Sequence, residues 1–165
     1  MKQTIISRFL AIALMMTTGN LAANAGWTDN LSPYDLNAPL GWATVDGNVT
    51  GGEGGTKVTV TNKTELMNAL KGTDKKIIYV DGEIEFSGLT NVNSVQNKTI
   101  IGMKGAAFVN SKHSASVSET GIMQLSSCKN IILRNIIFKS AGAYDIDGND
   151  NLTIIGSTYI WVDHC

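Results

Sequence analysis

Three aspartates stand within six residues in Tyr144-Asp145-Ile146-Asp147-Gly148-Asn149-Asp150, and closely spaced carboxylates are what a hard, oxygen-preferring cation requires. Asp-Gly and Asn-Asp pairs also make ordinary turns, so the residues alone leave a metal site and a simple turn both open. Asp163 and His164 suggest an acid–base dyad, histidine being the commonest general base. They are neighbours in a run expected to be a strand, however, which would send their side chains to opposite faces and out of any shared cleft. His113 lies in the Ser-rich stretch 110–118 and is expected in a solvated loop. Residues 51–55, Gly-Gly-Glu-Gly-Gly, suit either tight turns or a phosphate-cradling loop. No Lys-Ser or Lys-Thr pair follows them and no long helix starts there, which excludes the nucleotide-binding template.

The chain has 165 residues, 16% of them charged and 43% hydrophobic, which fits one packed globular domain and neither a disordered tail nor a coiled coil. A net charge of −1 and an isoelectric point near 6.1 exclude a nucleic-acid binder, which needs a basic face to neutralise phosphates. Residues 1–25 read as an export signal: Lys2 and Arg8 are followed by the apolar run Phe9 to Met16 and by the small-x-small site Ala23-Asn24-Ala25. The apolar run is too short to cross a bilayer, so a secreted product without a membrane anchor is expected. Its removal leaves 11 basic against 14 acidic residues, a mildly acidic chain of charge −3 over 26–165. Arg8 and Arg134 are the only arginines, so a single one remains after processing. Cys128 and Cys165 could pair in an exported protein, or stand apart as small buried hydrophobes.

The elements that would hold these groups are short. Residues 26–40, rich in Asn, Ser and Pro, read as an extended arm lying on something else. Lys57 to Val60 alternates as a strand. Asn62, three residues before Glu65, then opens a helix whose apolar face is Leu66, Ala69 and Leu70 and which ends at Gly72. Beyond it, β-branched runs recur at 76–80, 99–101, 130–133, 135–138, 152–155 and 159–162, each bounded by Gly, Asn, Asp or Ser. No helical pattern long enough for a crossover separates them, which disfavours a doubly wound sheet. Asn97, Asn130 and Asn135 at strand entries suit an all-β, right-handed parallel β-helix whose coils stack. An antiparallel sandwich competes on the pattern alone.

Trp161-Val162-Asp163-His164-Cys165, taken with the glycine cluster 51–55, Asn97 to Gly102 and Ile132 to Ile136 in that order, resembles the pectate lyase family of parallel β-helix polysaccharide lyases. The likeness runs from about Gly41 to Cys165. It implies a secreted, monomeric enzyme that cleaves polygalacturonate by calcium-assisted β-elimination. Asp150 stands at the family's spacing ahead of the tryptophan and is the first candidate calcium ligand, with Asp147 the second. Gly148 occupies a place where the family often has another aspartate. The family's base is an arginine on a later strand. Its substrate-binding Lys and Arg would also follow Cys165, because the family's domain is about twice as long as 26–165. On this resemblance the chain is expected to be the N-terminal part of the domain, C-terminally incomplete and without the base. Arg134 matches a structural Arg-Asn pair, and Asp163 and His164 match structural positions. A calcium-independent lyase of methylated pectin and a noncatalytic β-helix for carbohydrate binding or adhesion are the alternatives.

Overall fold

The computed structural model describes Ala43, Val45, Gly47 and residues 49–165; the signal segment 1–25 and the arm 26–40 lie outside the described residues. Eleven strands and one α-helix follow in order: β1 Thr56–Val60, α1 Lys63–Leu70, β2 Lys76–Val80, β3 Glu83–Glu85, β4 Thr90–Asn93, β5 Gln96–Gly102, β6 Ala107–Asn110, β7 Met123–Ser126, β8 Lys129–Arg134, β9 Ile137–Ser140, β10 Leu152–Ile155 and β11 Thr158–Asp163. All named pairings are parallel. They form three sheets: A in the order β1-β2-β5-β8-β11, B in the order β3-β6-β9, and C in the order β10-β7-β4. The chain visits C, A and B in turn, which makes a parallel β-helix and removes the antiparallel sandwich.

Stacking places like on like. Val58, Ile78, Ile100 and Leu133 are in register and form the inward column of sheet A, with Val162 of the last coil continuing the register at 40% exposure. Ile84, Phe108 and Phe138 do the same in sheet B, where the rings of Phe86, Phe108 and Phe138 meet with successive centroid separations of 5.2 and 5.6 Å. Each large apolar side chain so buried contributes about 1.5–3 kcal/mol. Helix α1 has the expected cap: the Asn62 side chain accepts from the Glu65 amide at 3.0 Å, and Glu65 accepts from the Thr61 amide at 2.8 Å. Its buried face is Leu66, Ala69 and Leu70, which join the same core, and Gly72 beyond it has φ 80°. Lys98 is wholly buried, with its ammonium donating to the carbonyls of Gly72, Asp74 and Gln96; burial pulls its pKa down and Asp74 opposes that.

The corners are set by left-handed residues. Ser94, Ser127 and Gly156 turn the chain out of sheet C, and Asn97, Asn130 and Tyr159 sit just inside sheet A, all with φ of 53–58°. Asparagine tolerates this region because its side chain bonds locally, and here it also bonds between coils. Asn130 Nδ2 donates to Asn97 Oδ1 at 2.9 Å, while Asn130 Oδ1 accepts from the amides of Thr50 and Gly51 at 2.8 Å each. Asn130→Ala is therefore expected to cost about 3 kcal/mol, the strain of an alanine at positive φ plus the orphaned amides of Thr50 and Gly51. Urea unfolding would measure it, and a loss below 1 kcal/mol would show that the ladder is not holding the coils. Asn135 differs from the expectation: with Ile136 it makes the corner between sheets A and B, and β9 begins only at Ile137. The glycines 51–55 form consecutive turns, with Glu53 N on Thr50 O and Gly55 N on Gly52 O. A Cβ on Gly52 would lie 1.9 Å from the Lys76 carbonyl oxygen, so the cluster serves close packing against β2.

Candidate functional site

Most of the added length in the later coils lies between sheets B and C. Residues 86–89 make that connection in the first coil, but residues 111–122 and 141–151 make it in the next two. These two longer loops stack on each other at the edge of sheet C. Tyr144 N donates to Ser114 O at 2.9 Å, Asn149 N to Thr120 Oγ1 at 2.8 Å, and Asn149 Nδ2 to Val117 O at 2.7 Å. Gly121, at φ 73°, would bring a Cβ to 2.7 Å from the Asp150 carbonyl oxygen, so the seat of the second loop requires a glycine there.

Asp145, Asp147 and Asp150 are all exposed on the 141–151 loop, and none forms an ion pair among the described residues. Asp150 precedes β10 by two positions and so stands at the rim of sheet C. Glu119 on the neighbouring loop is already engaged, by Lys112 Nζ and Ser114 Oγ at 2.7 Å each; the hydrogen bonds from Lys112 and then Ser114 hold its carboxyl below the usual range. Among the described residues no three acidic, His or Cys side chains converge on one point that could hold a metal. Asp147 and Asp150 thus fit a hard cation in kind but not in number, since calcium takes six to eight oxygens.

Sheet C offers a polar outer face beside this loop. Asn91, Gln124 and Thr153 are in register, as are Asn93, Ser126 and Ile155, while Val92, Leu125, Met123 and Leu152 of the alternate columns pack into the core and Ile154 of the last coil is 43% exposed. Gln124 Nε2 donates to Ser126 Oγ at 2.9 Å, which orients the amide. The sequence reading missed β4 and β7 because four-residue strands half made of Asn, Gln and Ser carry little apolar signal. The repeat of Ser94-Val95-Gln96-Asn97 as Ser127-Cys128-Lys129-Asn130 would have found them, since it places each strand just before a corner.

The remaining candidates lie elsewhere. His113 is exposed as expected, with Nε2 3.1 Å from Ala143 O and its ring edge-on to Tyr144 at 5.3 Å. Asp163 and His164 are not separated as the strand alternation implied: His164 Nδ1 is 2.8 Å from Asp163 Oδ1. The cause is local, since β11 ends at Asp163 and His164 takes φ 50° at the corner that Asn135 occupies one coil earlier, which cancels the alternation. The other oxygen, Asp163 Oδ2, lies 3.0 Å from Nε of Arg134, a side chain 1% exposed on the outer face of sheet A and 5.3 Å from the Trp161 ring centre. This cluster is on a different sheet from the acidic loop. Cys128 is buried before β8 and Cys165 exposed after β11, and both are free. They stand at opposite ends of sheet A, on the order of 20 Å apart along the strand direction, too far to bridge. No helix among the described residues is long and apolar enough to cross a membrane.

A family profile described as pectate lyase matches residues 11–165. The chain is 34% identical over 128 residues to the pectate lyase plyB of Emericella nidulans, covering 77% of this chain and 34% of that one. It is 35% identical over 120 residues to a pectin lyase of Pectobacterium carotovorum, covering 71% and 35%. A pectate trisaccharide-lyase of Bacillus licheniformis matches at 34% over 151 residues, covering 87% and 40%. The chain therefore spans 34–40% of the length of these relatives. The parallel coils, the tryptophan-led motif on β11 and these matches agree: the chain belongs to the pectate lyase family.

Proposed function

We propose that the protein of which this chain forms all or part is a secreted polysaccharide lyase that cleaves polygalacturonate by calcium-assisted β-elimination, and that residues 1–25 are removed on export. The observation that carries the reading is the polar column Asn91-Gln124-Thr153 beside the exposed carboxylates of Asp147 and Asp150. Amides and hydroxyls spaced at the strand separation match sugar hydroxyls, and the parallel register keeps them in line. Gln124, oriented by Ser126, would fix the ring, and the loops 111–122 and 141–151 would wall the groove on one side.

The acidic loop is the difficulty for this substrate, and it is also the argument for a cation. Polygalacturonate is a polyanion, and a mature charge of −3 with Asp147 and Asp150, which form no ion pair among the described residues, at the groove repels it. Asp150 and Asp147 would hold a calcium ion, which would supply the positive charge that lets an acidic loop meet a polyanion and makes the weakly acidic C5 proton removable. Asp150 is assigned as the first ligand, with Asp147 beside it. Their small number means that further oxygens come from substrate, water or other segments.

The test is electrophoresis of the chain through gels holding polygalacturonate, with calcium or with a chelator. Retardation is expected with calcium only. Asp150→Asn should reduce it about tenfold or more while leaving the circular dichroism spectrum unchanged. Equal retardation in chelator would remove the metal from the binding step, and a preference for methylated pectin without calcium would move the reading to the pectin lyases that the chain also resembles.

A further inference from the structure

We infer that a second acidic-sugar subsite lies at the entry to sheet A, separate from the sheet C groove. A pocket of about 400 Å³ opens there, lined by Gly47, Gln96, Asn97, Lys129, Asn130 and Tyr159. This is near the small end of ligand-binding cavities and holds one sugar residue with its water. The pocket is around a corner from the proposed groove, because Ser94 and Ser127 turn the chain between sheet C and these strands.

Its floor is rigid and already satisfied. Asn130 bonds Asn97 and the Thr50-Gly51 backbone, and Asn97 Nδ2 donates to Thr73 O at 2.8 Å, so neither amide needs a ligand. The groups that would recognise one are on the wall. Lys129 is exposed, forms no ion pair among the described residues, and its ammonium stands 5.7 Å from the ring centre of Tyr159. A cation over an aromatic face keeps donors pointing outward, because the ring accepts charge but offers no lone pair in line with them. Gln96, on the opposite strand of the β5-β8 pair and in register with Lys129, adds an amide. A cation without an ion-pair partner among the described residues, an amide and a phenol ring around a one-sugar cavity select a carboxylate-bearing sugar over a neutral one.

The chemistry differs from that proposed for the acidic loop. There the protein supplies negative charge and needs a metal; here it supplies the positive charge itself, so the subsite works without calcium. The inference draws only the ligand's identity, a galacturonate, from the proposed function. A second hold on the same polymer raises the effective concentration of the chain at the first.

Amide chemical-shift titration of the chain with the saturated galacturonate trisaccharide reads both places at once. Gln96, Lys129 and Tyr159 are expected to shift together to saturation, equally in calcium and in chelator, and not to respond to galactotriose. Lys129→Gln should weaken that response about tenfold, and Lys129→Arg should retain it. No saturable shift at these three residues, an unchanged affinity in Lys129→Gln, or an equal response to the neutral sugar would overturn the subsite. Failure of the main reading looks different: shifts at Asn91, Gln124 and Asp150 would be absent even with calcium.

Discussion

Residues 26–165, assayed alone on polygalacturonate with calcium, are expected to give a rise in ultraviolet absorbance at least about a thousandfold slower than the Bacillus licheniformis pectate trisaccharide-lyase run beside them. Elimination needs a base positioned at the C5 proton, and the described residues offer few candidates near sheet C. Arg134 is 1% exposed, on sheet A, and held by Asp163 and Trp161. Lys98 is buried with its donors on three carbonyls, and His164 is on the sheet A corner with Asp163. Lys112 is tied to Glu119, which leaves His113 on the 111–122 loop, its Nε2 at the Ala143 carbonyl, and Lys129 just past the Ser127 corner. Bulk hydroxide near neutral pH is too dilute to replace a positioned group, whose effective concentration exceeds it by many orders of magnitude. A rate within tenfold of the relative's would place the base among these residues, and His113→Ala would be the first variant to make.

The fold was legible where its repeat carries apolar residues. The runs 76–80 and 152–155 match β2 and β10 residue for residue, because Ile78, Val80 and Leu152 pack into the stacked core and the isoleucines beside them complete a dense β-branched signal. Sheet C was half hidden for the opposite reason: its outer face carries Asn91, Asn93, Gln124 and Ser126, which leave little apolar signal. The sequence could show that Asp145, Asp147 and Asp150 are close along the chain. It could not show that, among the described residues, no three acidic, His or Cys side chains converge there, because convergence depends on how the 141–151 loop lies on 111–122. The pairing of Asp163 with His164 was misread because strand alternation was extended one residue past the strand. The corner conformation at His164 is visible only against Asn135, its counterpart one coil earlier.

Asp163→Ala is expected to destabilise the chain by about 3 kcal/mol, a loss set by the charge it leaves behind. Arg134 lies in the outward column of sheet A between Ile101 and Asp163, is 1% exposed, and has Nε and Nη1 without hydrogen-bond partners of good geometry. The Asp163 carboxylate 3.0 Å from Nε is therefore its neutralising partner, and the Trp161 face the only other favourable contact for the charge among the described residues. Without Asp163 a buried guanidinium is uncompensated, which costs far more than a surface ion pair returns. Arg134→Leu should cost less, because it removes the charge and leaves Asp163, 21% exposed, to water and His164. The double variant should then be more stable than Asp163→Ala alone, since the buried charge that penalises the single variant is gone. Urea unfolding of all three at neutral pH closes the cycle, and the Asp163→Ala loss should change little between low and moderate salt because a buried pair is poorly screened. Additive single losses, or a loss that halves with added salt, would mean that Arg134 is hydrated in solution and that Asp163 belongs to His164 instead.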